Sequence, residues 1–156
     1  MKSTAVRLGC MLSVLLVAGS AGAASNAMTI SGNSFNDFFA PGCVSRFNGG
    51  ISNACSGDTN FSYGIPKGPS TVGGYTVTFA GNNSNTSVTS SCTVFSHSSS
   101  GNFLFFLTSN ASGVSGNWTR NVALTAAQAP TSGRLTAIVG LPGNFLGSLF
   151  GLSLAY

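Results

Sequence analysis

Residues 73–83 read Gly-Gly-Tyr-Thr-Val-Thr-Phe-Ala-Gly-Asn-Asn, and this stretch decides the fold class. Tyr75, Val77 and Phe79 alternate with two threonines, so the bulky apolar side chains share one face of an extended chain. The glycine pair before them and the Gly-Asn-Asn run after them favour turns. The stretch therefore predicts a short, half-buried β-strand bounded by turns.

The same kind of alternating segment recurs along the rest of the chain. Gly, Asn, Ser or Pro interrupts the sequence every few residues, and no stretch supports a long helix. Further strands are predicted at residues 88–95, 103–107, 118–124, 135–139 and 145–156. Short strands with glycine-rich connections predict an all-β domain, a single β-sandwich of about seven to nine short antiparallel strands. A small closed β-barrel is the alternative.

Three segments carry more specific expectations. Residues 83–86 are expected to form a hairpin between the strands on either side of them. Residues 103–107, Phe-Leu-Phe-Phe-Leu, are apolar on both faces, which is typical of a central strand covered on both sides or of a strand that faces lipid. Residues 123–129 have the composition for a turn or two of helix before Pro130.

The N-terminal residues have the pattern of a secretory signal peptide. Lys2 and Arg7 precede an apolar run at residues 8–18, and Ala21-Gly22-Ala23 resembles a cleavage site. The run is shorter than the roughly 20 residues of a membrane-spanning helix. We therefore expect a signal peptide of bacterial type at residues 1–23 and one all-β domain at residues 24–156, exported to the periplasm, the cell surface or the medium.

Charged residues are scarce, at 5% of the 156 positions. A nucleic-acid-binding protein needs clustered Lys and Arg to neutralise phosphates, so nucleic acid is excluded as a partner. Residues 24–156 carry four basic residues and two aspartates, a net charge of +2. Strand edges are commonly guarded by charge. The deficit therefore predicts self-association or binding to a surface partner.

The cysteines predict a disulfide rather than a metal site. Cys43, Cys55 and Cys92 follow the signal segment, and oxidation is the default in an exported protein. Cys43 and Cys55 close the shortest loop and are the preferred pair, which leaves Cys92 as a buried thiol. An intermolecular bridge or a pairing of Cys92 with either of the others stays open. The spacings lack a C-x-x-C motif, and no metal or other cofactor is expected.

The sequence contains few residues that could act in catalysis. General acid–base catalysis needs groups that titrate near neutrality, and the chain has one histidine and no glutamate. No G-x-S-x-G motif is present. A set of His97 with a serine and Asp37 or Asp58 is a weak alternative. The expected protein is therefore not an enzyme.

Two segments are candidates for binding. Trp118 and Arg120 share a face of their strand, where Arg120 interrupts the apolar pattern; the ring is a candidate stacking platform for carbohydrate. The C-terminal segment alternates bulky residues with small ones, Gly151, Ser153 and Ala155. Its bulky residues are the candidate assembly strand: Phe150, Leu152, Leu154 and Tyr156.

This ending resembles the closing strand of bacterial outer-membrane barrels, which finish on an aromatic residue, and the resemblance implies membrane contact in a small outer-membrane β-barrel protein. A second resemblance is to chaperone–usher pilins, on Met28 and Ile30, one disulfide, and Gly143 near the end. It implies a fibre subunit that assembles by strand complementation. The primary expectation remains an exported, non-enzymatic structural or binding β-domain that self-associates, with carbohydrate as a further partner class.

Overall fold

The computed structural model describes residues 27–37, 42–66 and 74–156. The expected signal peptide at residues 1–23 and the basic residue Lys67 lie outside the described residues. Within the described ranges, no helix has the length and apolar character needed to cross a membrane.

The described residues form eleven strands and one turn of 3-10 helix. Their bounds are β1 (Ala27–Ser31), the 3-10 turn (Gly32–Ser34), β2 (Asn36–Asp37), β3 (Val44–Phe47), β4 (Gly50–Asn53), β5 (Thr59–Ile65), β6 (Tyr75–Asn83), β7 (Ser90–His97), β8 (Phe103–Ala111), β9 (Gly116–Leu124), β10 (Arg134–Leu141) and β11 (Gly147–Ala155). Eleven strands exceed the seven to nine that the sequence predicts, and the additional ones are among the short strands before residue 66.

The strands form two antiparallel sheets. Sheet A has the order β3-β4-β11-β6-β9, and β1 also pairs with β11; sheet B has the order β2-β5-β10-β7-β8. Every pair of neighbouring strands is antiparallel. The two sheets pack face to face as a β-sandwich, which confirms the expected fold class. Over the described ranges they do not close into a barrel, so the alternative architecture is not adopted.

The core lies between the sheets and is built from alternate residues of each strand. In β6, Tyr75, Val77 and Phe79 are buried, as their period-two spacing predicts. Sheet B supplies buried partners such as Phe61 and Val139, which are neighbours in the β5–β10 register. Complete burial of side chains of this size contributes about 1.5–3 kcal/mol each. This apolar layer is what holds the two sheets together.

The expected hairpin at residues 83–86 is wrong, because β6 and β7 lie in different sheets. The connection crosses the sandwich and is anchored by a hydrogen bond from the Ser84 amide to the Leu146 carbonyl (2.9 Å). Asn and Ser residues favour a turn, but they do not specify which sheet the next strand joins. In the expected helical segment, Ala123 and Leu124 end β9, and a single hydrogen-bonded turn from Thr125 follows.

Residues 103–107 are also placed differently from the expectation. They belong to β8, which is the outer strand of sheet B, and most of their side chains are exposed. A run that is apolar on both faces is typical of a central strand because both faces are then covered. Here sheet B ends at this strand instead.

Strand β11 contains a β-bulge that changes which face one residue occupies. The register shifts between Leu149 and Gly151, at the point where β11 changes neighbour from β4 to β1. Leu149 is buried, whereas Phe150 is 40% exposed. The expected single face of Phe150 with Leu152 and Leu154 is therefore corrected, because a bulge inserts an extra residue and shifts the alternation.

Candidate functional site

A shallow groove runs across the outer face of sheet A, where β1, β11 and β6 lie side by side. Its volume is about 660 Å³. It is lined by Thr29, Ile30, Ser31, Gly49, Thr78, Ala80, Phe150, Gly151, Leu152 and Ser153. We call these residues the sheet A groove.

The floor of the groove consists of small and hydroxyl-bearing side chains. Two cross-strand rows form it, Thr29, Ser153 and Thr78 in one and Ser31, Gly151 and Ala80 in the other. Alternate residues of a strand point to opposite faces, so these rows face away from the core while Ile30 and Leu152 point towards it. The hydroxyl groups of Thr29, Thr78 and Ser153 offer both donors and acceptors along an otherwise smooth surface.

One end of the groove is walled by aromatic rings. The ring of Phe150 meets the ring of Phe47 edge-on, with 6.2 Å between centroids and an interplanar angle of 90°. The Ser31 hydroxyl donates a hydrogen bond to the carbonyl oxygen of Gly49 (3.1 Å), which ties β1 to the turn between β3 and β4. Because the bulge turns Phe150 outward, its ring is available to an incoming ligand.

A glycine at the centre of the floor lets two strands approach closely. A Cβ atom added to Gly151 would lie 2.4 Å from the carbonyl oxygen of Ile30. Real Cβ atoms do not come so close to a backbone atom, so a side chain here would push β1 away from β11. The small-residue face of the last strand is thus the sequence signal for the groove.

The groove contains no ionisable side chain. Such a surface recognises a ligand through hydroxyl hydrogen bonds and contact with apolar surface, and it offers nothing that titrates near neutrality. In the described part of the chain, no cluster of three or more His, Cys, Asp or Glu residues could hold a metal ion.

The weak catalytic alternative is not assembled around Asp58. His97 pairs with Arg134 at one end of β10, whereas Thr59, next to Asp58, pairs with Leu141 at the other end. Seven strand residues separate these ends by about 23 Å. Asp37 lies in β2 and pairs with Phe61 of β5. The His97 ring meets the Phe103 ring edge-on, with 6.2 Å between the ring centroids.

Trp118 lies in the core and offers no ring face to solvent. It is 4% exposed, and its indole N–H donates to the side-chain oxygen of Asn83 (3.1 Å). The stacking role expected of Trp118 is therefore not compatible with its position. The period-two pattern placed it on the inward face of β9, and that face is covered by the opposite sheet.

Arg120 acts as a bridge at the edge of the sandwich. Its Nε atom donates to the carbonyl oxygen of Asn110 in β8 (2.7 Å), and a terminal nitrogen donates to that of Thr119 (2.8 Å). Both acceptors are backbone groups, so the guanidinium ties β9 to β8.

The remaining residues of the expected assembly strand are part of the fold. Leu152 and Leu154 are buried in the core. The ring of Tyr156 packs 6.0 Å from that of Tyr75. The edge of β11 that faces away from β6 is occupied by β4 and β1 of the same chain. At β11, the position that a neighbour's strand would take in strand complementation is thus filled.

The cysteine expectation is confirmed for Cys43 and Cys55, which form a disulfide with a Cα–Cα distance of 5.0 Å. Cys92 is a free, buried cysteine. Burial raises the pKa of its thiol from 9.0 to about 12, and the nearby Arg120 opposes this shift more weakly. The thiol therefore stays protonated and inert at neutral pH.

We expect Cys92 to resist thiol reagents in the folded protein and to react on unfolding. A titration of the mature domain, residues 24–156, with a chromogenic disulfide at pH 8 should give no fast-reacting thiol in buffer and one thiol per chain in denaturant. Because the unfolded thiol ionises near 9.0 and the folded thiol only near 12, this group's contribution to stability is complete below pH 9 and is lost as the pH rises towards 12. Rapid labelling of Cys92 without denaturant would contradict its burial.

No protein-family model matches the sequence, and no curated protein is similar to it in sequence. Solved structures share its architecture. The C-terminal CBM6 domain of LamC, a marine laminarinase from Zobellia galactanivorans, superposes with a TM-score of 0.51 at 13% identity, over 84% of this chain and 100% of that one.

Two further structures are similar at lower scores. Tailspike protein 4 of bacteriophage CBA120, in its enzymatically active domain, gives a TM-score of 0.46 at 13% identity, over 84% of this chain and 17% of that one. TmCBM61, solved with β-1,4-galactotriose, gives 0.41 at 14% identity, over 85% and 88% of the two chains. At such identities, the comparison with the LamC domain shows a shared β-sandwich fold.

Proposed function

We propose that this protein is an exported, non-enzymatic binding domain that holds an uncharged carbohydrate in the sheet A groove. The observation that carries the proposal is the chemistry of the groove. Hydroxyl-bearing side chains line its floor, an exposed phenylalanine ring stands at one end, and no lining residue is ionisable.

A sugar ring matches this arrangement in two ways. Its hydroxyl groups exchange hydrogen bonds with serine and threonine, and the apolar C–H face of a pyranose packs against an aromatic ring. A charged ligand would gain no ion pair in the groove to offset its lost hydration. The volume of about 660 Å³ lies in the range of small-molecule sites, roughly 300–1,000 Å³.

Two further observations support the proposal. The CBM6 domain with the same fold is, by its name, a carbohydrate-binding module attached to a laminarinase. The signal-peptide pattern of residues 1–23 and the Cys43–Cys55 disulfide fit an oxidising compartment outside the cytoplasm. A module that binds polysaccharide would meet its ligand there.

We expect Phe150→Ala to weaken carbohydrate binding by roughly fivefold to tenfold, which is the loss of about 1 kcal/mol of ring contact. The mature domain, residues 24–156, is first screened by co-sedimentation with insoluble neutral polysaccharides. Titration calorimetry with oligosaccharides of the polysaccharide that retains the domain then measures the dissociation constant. Because the groove is uncharged, raising the salt concentration should leave that constant unchanged.

Phe145→Ala is the matched control, since Phe145 is an exposed phenylalanine outside the sheet A groove and outside β8 (Phe103–Ala111). It should bind as the unaltered domain does. Thr78→Val, which removes a floor hydroxyl at nearly constant volume, should also weaken binding. Retention that Phe150→Ala and Thr78→Val leave unchanged would contradict the groove as the site, and failure to retain any neutral polysaccharide would contradict the proposed function.

Self-association is a second property that we propose for this domain, and it does not depend on the groove. Its support is the net charge of only +2 over residues 24–156, which gives two copies little reason to repel each other.

A further inference from the structure

Strand β8 is an unusually exposed sheet edge. It spans nine residues at the end of sheet B, and no strand within the described ranges pairs with its outer side. Phe103, Leu104, Phe106 and Leu107 are between 38% and 57% exposed. An exposed apolar edge with unpaired backbone groups is a template for another strand.

Three of the other edge strands, β3, β9 and β2, carry protection that β8 lacks. On β3, the guanidinium of Arg46 donates to the carbonyl oxygens of Asn33 and Phe35. Strand β9 carries Arg120, and β2 has only two residues. Short strands and charged side chains are the usual means of blocking edge pairing. No residue of β8 is charged and none is proline.

The unprotected part of β8 has defined limits. At its C-terminal end, Arg120 reaches across from sheet A and hydrogen-bonds the carbonyl oxygen of Asn110. At its N-terminal end, the register with β7 shifts opposite Leu104. The open edge therefore coincides with the apolar run at residues 103–107 and the two polar residues that follow.

We propose that a second copy of this chain pairs with β8, strand to strand and antiparallel, around a two-fold axis at Phe105. This deepens the proposed self-association by assigning its interface, and it leaves the sheet A groove free. The two sheets B would join into one continuous sheet across the axis.

The sequence of β8 is complementary to itself in this register. Centring on Phe105 sets Leu104 of each copy opposite Phe106 of the other. Apolar residues thus meet apolar ones, as cross-strand pairing favours. The two-fold symmetry repeats this pair on both sides of the axis.

The aromatic rings on the outer face of sheet B extend this contact. Phe95 stacks on Phe106 with 5.7 Å between centroids, and Phe103 lies 6.4 Å from Phe95 and 6.2 Å from Phe106. Pairing places Leu104 of the second copy beside this cluster. The apolar surface then becomes continuous across the axis.

The buried area fits a weak dimer. An exposed phenylalanine of this kind contributes about 100 Å², half of what its side chain buries when covered. With both leucines, the backbone edge and the polar flanks, the two copies together bury about 1,000 Å², at the low end for specific interfaces. Two Arg120 side chains lie five residues to either side of the axis, about 30 Å apart. At physiological salt that distance exceeds the Debye length of about 8 Å, so their repulsion is screened.

Sedimentation equilibrium of the mature domain, from micromolar to millimolar concentration, tests the interface. We expect a reversible monomer–dimer equilibrium, and we expect Leu104→Lys and Phe106→Lys each to raise the dissociation constant at least tenfold. Phe145→Lys is the control: it charges another phenylalanine of equal exposure to Phe103, outside β8, and should leave the constant unchanged.

The outcomes separate the levels of the proposal. A domain that stays monomeric throughout would contradict self-association itself. A dimer that persists equally in both β8 variants would contradict the edge assignment while leaving self-association standing. Polysaccharide binding is measured separately, so failure of either result leaves the groove proposal unaffected.

Cross-linking tests the register. In a Phe105→Cys variant the two new cysteines would face each other at the axis, with Cα atoms about 4.5–5.5 Å apart, within the range of a disulfide. Cys92 is buried and does not compete. In the control Thr108→Cys the new thiols would be about 20 Å apart and should not link.

Phe105 is partly buried against the core, so a second design avoids it. A mixture of Leu104→Cys and Phe106→Cys chains should form a mixed disulfide dimer under mild oxidation. Linkage in both designs, without linkage of Thr108→Cys, supports the register. Rapid linkage of Thr108→Cys, or none in the mixture, would overturn it.

Discussion

Asn83→Ala is expected to lower the free energy of unfolding by about 3–5 kcal/mol, the largest effect of any single substitution considered. Asn83 is fully buried at the end of β6. Its side-chain oxygen accepts hydrogen bonds from the Trp118 indole (3.1 Å) and the Ser90 hydroxyl (2.6 Å). Its amide nitrogen donates to the carbonyl oxygen of Ala111 (2.8 Å).

The size of the effect follows from what the substitution leaves behind. Three buried polar groups, on Trp118, Ser90 and Ala111, would each lose a partner, and an unsatisfied buried group costs about 1–3 kcal/mol. The same side chain joins β6, β7, β8 and β9 at the point where the chain crosses between sheets. Its loss therefore loosens both layers together.

Asn82→Ala is the matched control for this prediction. Asn82 is the preceding residue, and its side chain bonds that of Asn117 at the surface (3.0 Å). Its removal should cost less than about 1 kcal/mol, because water replaces the lost partner. Urea unfolding followed by tryptophan fluorescence gives both values. Equal stability of Asn83→Ala and Asn82→Ala would contradict the role assigned to the buried amide.

Removal of the Cys43–Cys55 disulfide is expected to lower the free energy of unfolding by about 3 kcal/mol, because the bond restricts the unfolded chain. The bond also holds local structure. The Cys43 carbonyl oxygen accepts from the Ala54 amide (2.7 Å), and that of Cys55 accepts from the Asn144 amide (2.7 Å). The second contact anchors the turn before β11, where Asn144 and Phe145 have positive φ angles of 56° and 59°.

Thermal unfolding with and without reductant measures this effect with an internal control. The unaltered domain should lose roughly 10 °C of Tm when it is reduced, since about 1 kcal/mol corresponds to roughly 3–4 °C in a domain of this size and the expected loss is about 3 kcal/mol. A Cys43→Ala/Cys55→Ala double variant should match the reduced protein and should not respond to reductant. A double variant as stable as the oxidised domain would contradict the stabilising role.

Side-chain alternation predicted the strands whose two faces differ. Residues 75–79 and 118–124 lie in strands with the expected inward faces, because one face of each packs against the opposite sheet. The preferred cysteine pair, Cys43 with Cys55, was inferred from loop length and an expected oxidising compartment, with pairings of Cys92 left open. These features depend on neighbours in the sequence or on one buried face, which a local pattern records.

Features that depend on distant pairing could not be predicted in this way. The turn after Asn83 leads to the opposite sheet, and nothing in its composition distinguishes a crossing from a hairpin. The bulge at Phe150 arises because β11 changes neighbour, which turns the ring into the groove. The exposure of residues 103–107 depends on sheet B ending at β8, and a strand apolar on both faces has the same sequence signature when it is covered.

The only sequence signal for the sheet A groove is the face of small residues in the last strand. Gly151 and Ser153 alternate with larger residues in the last strand, but their partners Thr29, Ser31, Thr78 and Ala80 come from strands far away in the chain. Pairing of β1, β11 and β6 brings them together. The aromatic residue beside them is Phe150, whereas the single tryptophan that composition draws attention to is used in the core.

The most direct test of the proposed function is to map the bound ligand by backbone amide NMR. A neutral oligosaccharide derived from the polysaccharide that retains the domain is titrated into it below the concentrations at which it self-associates. We predict chemical-shift changes that cluster on residues 29–31, 78–80 and 150–153 and leave residues 103–107 unchanged. Shifts that cluster on another surface, or a retained polysaccharide whose oligosaccharides shift none of these residues, would contradict a carbohydrate site in the sheet A groove.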